Sequence, residues 1–226
     1  PIGTAPSVAN DVVTSPNGGI AGVVKTNWGA STIEIIDLTT NAVTGSVPIP
    51  VDAINAAFTP DGTEIWVNSV DSGTVGVVDI ATLTASSFNI THSNPGGPYT
   101  GTTGIRFSPA GDFAYVGNAA DGRISVVDTS TFAEITTITI GHEPGAMDFS
   151  PDGTKALVVI GPTKSIGFID TNTHTLSTTF DVTTLGFDFP NEAVFSLDGS
   201  QVIFSASDVD DKVVFFNVAS STVDGA

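Results

Sequence analysis

Gly104-Ile105-Arg106-Phe107-Ser108-Pro109-Ala110-Gly111-Asp112 opens the stretch whose reading decides the fold. Its first four residues read as a short strand, and Pro109 and Gly111 fall where a tight turn wants them. Phe113-Ala114-Tyr115-Val116-Gly117 then alternates as a second strand, and Asn118-Ala119-Ala120-Asp121-Gly122 ends in an Asp-Gly hairpin signal. Arg123-Ile124-Ser125-Val126-Val127 makes a third strand, stopped by Asp128-Thr129-Ser130-Thr131. Ile135-Thr136-Thr137-Ile138-Thr139-Ile140 makes a fourth. Val, Ile, Thr and aromatic residues dominate, and no 3.6-residue periodicity competes with them.

The same phrase recurs on either side. An apolar residue, Ser or Thr, and a Pro-x-Gly-like turn appear as Val13-Thr14-Ser15-Pro16-Asn17-Gly18 and Phe58-Thr59-Pro60-Asp61-Gly62. Further copies are Phe149-Ser150-Pro151-Asp152-Gly153 and Phe195-Ser196-Leu197-Asp198-Gly199. Counted from Ser15, Thr59, Ser108, Ser150 and Ser196, the intervals are 44, 49, 42 and 46 residues. A period in the forties built from strand-like pieces predicts an all-β fold, a β-propeller of four-stranded antiparallel blades. The 226 residues then form a single domain, with blades at 5–50, 51–99, 100–143, 144–188 and 189–226 and the last incomplete. Third strands end at Asp37, Asp79, Asp128, Asp170 and Asn217, side chains suited to closing the next turn.

Five blades leave three possibilities open: a closed five-blade ring, part of a larger ring, or closure by a partner subunit. The chain starts at Pro1, so a trimmed or excised product is expected. An open arc would expose two sheet edges and invite self-assembly.

Composition narrows the partners. Twenty-four acidic residues stand against six basic ones (Lys25, Arg106, Arg123, Lys155, Lys164 and Lys212), for a net charge of -18. Such a surface repels phosphate backbones and anionic lipid, which excludes nucleic acid as the expected partner. No apolar run approaches the ~20 residues that span a bilayer, so no membrane insertion is expected. The Thr-, Ser-, Gly- and Asp-rich composition suits an exported protein, extracellular, cell-surface or periplasmic. With no cysteine there is neither a disulfide nor a thiolate metal site.

The Phe-Ser-Pro-Asp-Gly phrase, Tyr115-Val116-Gly117-Asn118, Asp121-Gly122, Ile124-Ser125-Val126-Val127-Asp128 and the closing Thr-Ile-x-Ile-Gly resemble the YVTN-type β-propeller repeat. Ile140-Gly141-His142-Glu143-Pro144-Gly145 resembles its inter-blade segment, as does Ile2-Gly3-Thr4-Ala5-Pro6. The resemblance spans essentially the whole chain. It implies a surface-layer-like or otherwise exported propeller and an interaction or structural role. It does not imply one activity, since a fold carries many. Family propellers commonly close with seven blades, and this chain supplies five.

Loops entering the innermost strands ring the channel mouth, where ligands bind. They deliver Thr4, Asp52, His92 with Tyr99, His142 with Glu143, and Asp188 with Asn191 and Glu192. Asp52, His92, Tyr99, His142, Glu143, Asp188 and Glu192 are therefore the candidate binding residues for a protein or glycan at the cell surface. His92, His142 and Glu143 are the candidate ligands for a divalent cation, an oxygen-rich set suiting calcium and a His pair suiting zinc. Arg106 and Asp148 each precede the inner-strand Phe of adjacent repeats, and are read as a partly buried bridge that sets blade registry. His174 is expected at the surface, and Asp208-Val209-Asp210-Asp211 as a solvated hairpin tip.

Gly-x-Ser-x-Gly, a Gly-rich phosphate loop and His-Glu-x-x-His are all absent. The alternative to a binding module is a propeller enzyme, polysaccharide-cleaving or a metal-dependent lyase or oxidoreductase. Asp11, Asp148 and Glu192 would supply the carboxylates of a glycosidase, which cleaves with two of them set across the scissile bond. The YVTN-like repeat is not the repeat of those enzymes, and the non-catalytic reading is preferred.

Overall fold

The computed structural model describes residues 8–27, 30–69, 72–91, 102–188, 190–206 and 212–225. Their strands fall into five four-stranded antiparallel sheets, each in consecutive order. Blade 1 comprises β1 (Val8–Thr14), β2 (Ile20–Asn27), β3 (Ala30–Asp37) and β4 (Ala42–Ile49). Blade 2 comprises β5 (Ala53–Phe58), β6 (Glu64–Ser69), β7 (Thr74–Asp79) and β8 (Thr84–Asn89). Blade 3 follows with β9 (Thr102–Phe107), β10 (Phe113–Asn118), β11 (Arg123–Asp128) and β12 (Ala133–Thr139). In blade 4 the strands are β13 (Met147–Phe149), β14 (Lys155–Ile160), β15 (Ser165–Asp170) and β16 (Thr175–Asp181). Blade 5 has β17 (Pro190–Phe195), β18 (Gln201–Ala206), β19 (Lys212–Asn217) and a short β20 (Thr222–Gly225). The all-β expectation holds. Among the described residues no helix is long and apolar enough to cross a membrane.

Alternation along each strand assigns the two faces of a blade, one toward the next blade and one toward the preceding blade. Four apolar clusters fill the four junctions. Val24, Ile33 and Ile35 of blade 1 meet Ile65, Val67 and Val78 of blade 2. Trp66, Val75 and Val77 meet Ile105, Val116 and Val127. Tyr115, Ile124 and Val126 meet Phe149, Val158 and Ile169. Leu157, Ile166 and Phe168 meet Phe195, Phe204 and Phe216. The core is thus a series of sheet-on-sheet layers, each buried strand contributing to both sides.

The recurring turn phrase does two jobs. Within a blade, the Ser or Thr hydroxyl donates to the following Asx side chain and accepts the amide that opens strand two. In blade 4 these bonds are Ser150 Oγ to Asp152 Oδ1 at 2.6 Å and Lys155 N to Ser150 Oγ at 3.0 Å. Blade 3 has Ala110 at the Asx position, and Asp112 takes the hydroxyl bond instead at 2.5 Å. Between blades, the turn glycine abuts the proline of the preceding copy. A Cβ on Gly62, Gly111, Gly153 or Gly199 would lie 3.3–3.5 Å from Pro16, Pro60, Pro109 or Pro151 respectively. These glycines also have φ between 70 and 78°, a backbone that side chains resist. The interlock explains why Pro and Gly recur together.

The turns joining strands three and four repeat as faithfully. Asp37, Asp79, Asp128, Asp170 and Asn217 each accept backbone amides from residues two or three further on. Four residues after each stands a non-glycine residue at positive φ: Asn41, Leu83, Phe132, His174 and Ser221, at 50–56°. Three of them reach back into the preceding blade. Leu83 lies against Gly45, and Phe132 packs on Trp66 and Phe88 with ring centroids 5.5 and 5.4 Å away. His174 sits edge-on to Phe113 at 5.0 Å, and its Nδ1 bonds the Tyr115 hydroxyl at 3.0 Å. His174 is therefore a half-buried knob rather than the surface residue expected, because the left-handed turn aims its ring inward.

Candidate functional site

The innermost strands of all five blades border one cavity of about 430 Å³. Asp11 comes from β1, Asn55 and Ala56 from β5, and Thr103 to Arg106 from β9. Ala146 and Met147 come from the entry to β13 and its first residue, and Asn191 and Glu192 from β17. The volume falls in the range of small-ligand sites, ~300–1,000 Å³. Its wall mixes amides, carboxylates, one guanidinium and short aliphatic surface. The arrangement follows from the blade order: the first strand of each sheet lies nearest the axis, and consecutive residues of these strands line the cavity.

Several polar side chains around the axis are already committed to holding the blades in step. Asp11 Oδ2 accepts the Ala56 amide of blade 2 at 2.9 Å, and the Asn55 amide donates to the Thr103 carbonyl of blade 3 at 3.0 Å. Asp148 Oδ2 accepts the Phe195 amide of blade 5 at 2.7 Å. Asn10 likewise donates to the Ala53 carbonyl at 3.2 Å. A side chain that closes the open backbone group of the neighbouring inner strand removes a costly unpaired polar group.

Arg106 donates to the Ile105 carbonyl at 2.9 Å. Burial pushes the Asp148 carboxyl above the usual carboxylate range, while the Phe195 and Phe149 amides and the Arg106 charge pull it down. Arg106 and Asp148 thus sense one another across blades 3 and 4, and the hydrogen bond carried by the carboxylate goes on to blade 5.

The candidate rim residues separate into distinct places. Glu192 faces the central cavity together with Asp11 and Arg106. Asp188 forms an ion pair with Lys164 at 2.7 Å, tying the entry of blade 5 to the second hairpin of blade 4. His142 and Glu143 are exposed on the connection into blade 4, and Asp52 is partly buried just before β5. His92 and Tyr99, like Asp208 to Asp211, lie outside the described residues. Among the described residues no group of three or more His, Asp or Glu side chains converges as a metal centre would. Asn55 and Thr103 line the cavity without having been singled out. Their only sequence signal is their place on a short inner strand, which marks nearness to the axis and no chemistry.

No family model matches the chain. It is 32% identical over 192 residues to the uncharacterized protein YwhL of Bacillus subtilis (strain 168). That match takes in 84% of this chain and 39% of that protein, so the chain spans well under half of the curated relative it matches. Among solved structures, it is similar to Kuenenia stuttgartiensis hydrazine synthase, with a TM-score of 0.75 at 21% identity. The likeness covers 96% of this chain and 69% of that one. At that identity the likeness is one of fold, and it agrees with the propeller architecture.

Proposed function

We propose that the chain is an exported, non-catalytic binding module of YVTN-type repeats, working at the cell surface or envelope and taking a glycan in its central cavity. One observation carries the reading: the inner strands of four blades deliver polar side chains to a single cavity. Carboxylates and amides such as Asp11, Asn55, Asn191 and Glu192 suit sugar hydroxyls. The acidic charge turns away anionic partners. Asp11 and Asp148 each have an oxygen held by a neighbouring blade's amide, which suits staples better than an acid–base pair.

The test is a titration of the ¹⁵N-labelled protein with neutral hexasaccharides, cellohexaose and chitohexaose, followed by amide shifts and by chromatography of the sugar. Saturable shifts at Asn55, Asn191 and Glu192 with intact sugar are expected. No shift at millimolar sugar refutes the proposal. Cleaved sugar, lost in Glu192→Gln, refutes it in favour of an enzyme.

A further inference from the structure

The innermost strands differ at the position three residues before the Phe that ends each of them (Thr14 in blade 1). Asp11, Asn55, Gly104, Ala146 and Glu192 occupy it in blade order, and all of them border the central cavity. The ring is therefore one-sided, polar on blades 1, 2 and 5 and nearly bare on blades 3 and 4. A Cβ built on Gly104 would meet nothing within 4 Å, so the bare side is open room rather than packed interior. The bulk of a ligand fits there, within reach of the polar groups on the other blades.

The charges are unbalanced too. Asp11, Arg106 and Glu192 are the ionisable residues that line the cavity. Arg106 does not cancel the two carboxylates, because its charge also acts on the Asp148 carboxyl of blade 4 and one of its N–H groups is spent on the Ile105 carbonyl. Asp11 has both oxygens engaged by backbone, Oδ1 with the Val12 amide at 2.8 Å and Oδ2 with the Ala56 amide at 2.9 Å. Glu192 is different. Its amide donates to Ser205 Oγ at 3.2 Å, whereas its exposed carboxylate is bonded to no side chain among the described residues. A concave site with surplus negative charge draws cations, and the net charge of -18 adds to that pull.

We infer that the cavity selects a sugar carrying a free, protonated amine, its ring against the Gly104–Ala146 side and its ammonium on Glu192. The inference rests on the glycan reading of the same cavity and adds the class of sugar. An ammonium offers three donors and no acceptor, which matches a carboxylate with open lone pairs, and a charge-assisted bond of this kind is stronger than a neutral one. The acetamide of an N-acetylated sugar offers one uncharged N–H and loses that advantage. Arg106 keeps further N–H groups for hydroxyl oxygens.

The test titrates the ¹⁵N-labelled protein at pH 6, where the amine is charged, with hexaglucosamine and with its N-acetylated counterpart, chitohexaose. Amide shifts at Asn55, Asn191 and Glu192 report the cavity. Hexaglucosamine should bind the tighter by about five-fold in 50 mM NaCl, the worth of one exposed ion pair, and by less in 500 mM NaCl. Glu192→Gln should bring the ratio of the two affinities close to one. Glu34→Gln removes the same unit of charge from β3, outside the cavity, and should leave the ratio as it is. Gly104→Val, which fills the bare side where a Cβ has room, should weaken both sugars together. Circular dichroism confirms the fold of all three variants. Equal affinity for the two sugars overturns the inference and leaves the glycan reading standing, and a preference that survives Glu192→Gln or is abolished by Glu34→Gln overturns it equally. If neither sugar shifts the cavity amides, the glycan reading fails and this inference with it.

Discussion

Truncating Phe132 should invert the usual order of alanine and glycine. Phe132 lies in the left-handed region at φ 56°, and its ring rests on Trp66 and Phe88 of the preceding blade. Removing a fully buried Phe costs ~3–5 kcal/mol, and this half-buried ring loses about half, so Phe132→Ala should cost ~2 kcal/mol. Alanine keeps the left-handed strain, roughly 1–2 kcal/mol per residue, which glycine does not have. Glycine in turn adds ~0.4–1 kcal/mol of unfolded-chain entropy. The balance leaves Phe132→Gly the more stable variant by about 0.5–1 kcal/mol, whereas in an ordinary strand glycine is the worse. For a domain of this size each kcal/mol moves the melting temperature by ~2–4 °C. Calorimetry should therefore place Phe132→Ala ~4–8 °C below the parent and Phe132→Gly measurably above Phe132→Ala. Ser221, exposed at φ 55° and without a knob's packing, isolates the backbone effect, and Ser221→Gly should raise the melting temperature slightly. If Phe132→Gly melts at or below Phe132→Ala, the strain argument for all five turns fails.

Three further outcomes follow from the same geometry. Asp148→Ala strands the Phe195 amide and should cost ~1–3 kcal/mol in denaturant unfolding, while Asp148→Asn, which retains an acceptor oxygen, should cost less. Burial holds the His174 imidazole below its ordinary pKa, against the pull of Asp112 and Asp170, so the folded state binds the proton less well than the unfolded chain. Stability should fall as pH drops through the ordinary histidine range toward the lower folded value, and a pH series of melts should show that component vanish in His174→Asn. Gly76→Ala would set a Cβ 2.7 Å from Val67 and 3.3 Å from Val51, and overpacking of this kind should cost ~1–3 kcal/mol by chemical denaturation.

The architecture was legible because its signals are local. Pro60, Gly62 and their counterparts mark turns by their own backbone limits, and runs such as Ile124 to Val127 alternate in a way that only a strand satisfies. What could not be read is whatever depends on a neighbouring blade. Leu83, Phe132 and His174 have ordinary turn sequences around them, and nothing local says that a residue without glycine's freedom takes positive φ. That choice is stabilised by contacts with residues 38 to 66 positions away in the chain. The site divides along the same line. Glu192 and Asp11 could be placed near the axis from their position on the innermost strands, but the partner of Asp188 could not, because Lys164 approaches it from another hairpin.

The inter-blade contacts are directional, and that direction bears on how the two free faces differ. The turn glycines of blades 2 to 5 reach backward onto the preceding proline, and Leu83, Phe132 and His174 reach backward onto Gly45 or the aromatic residues of the preceding blade. A blade is therefore finished by the one that follows it. Blade 5 has no follower among the described residues, and Leu197 and Phe215 stand exposed at the positions a follower would cover. Blade 1 has no predecessor among the described residues, and its own reaching elements are mild. Gly18 has nothing within 4 Å of where a Cβ would stand, and its knob position is Asn41, a residue that tolerates positive φ with its side chain in water.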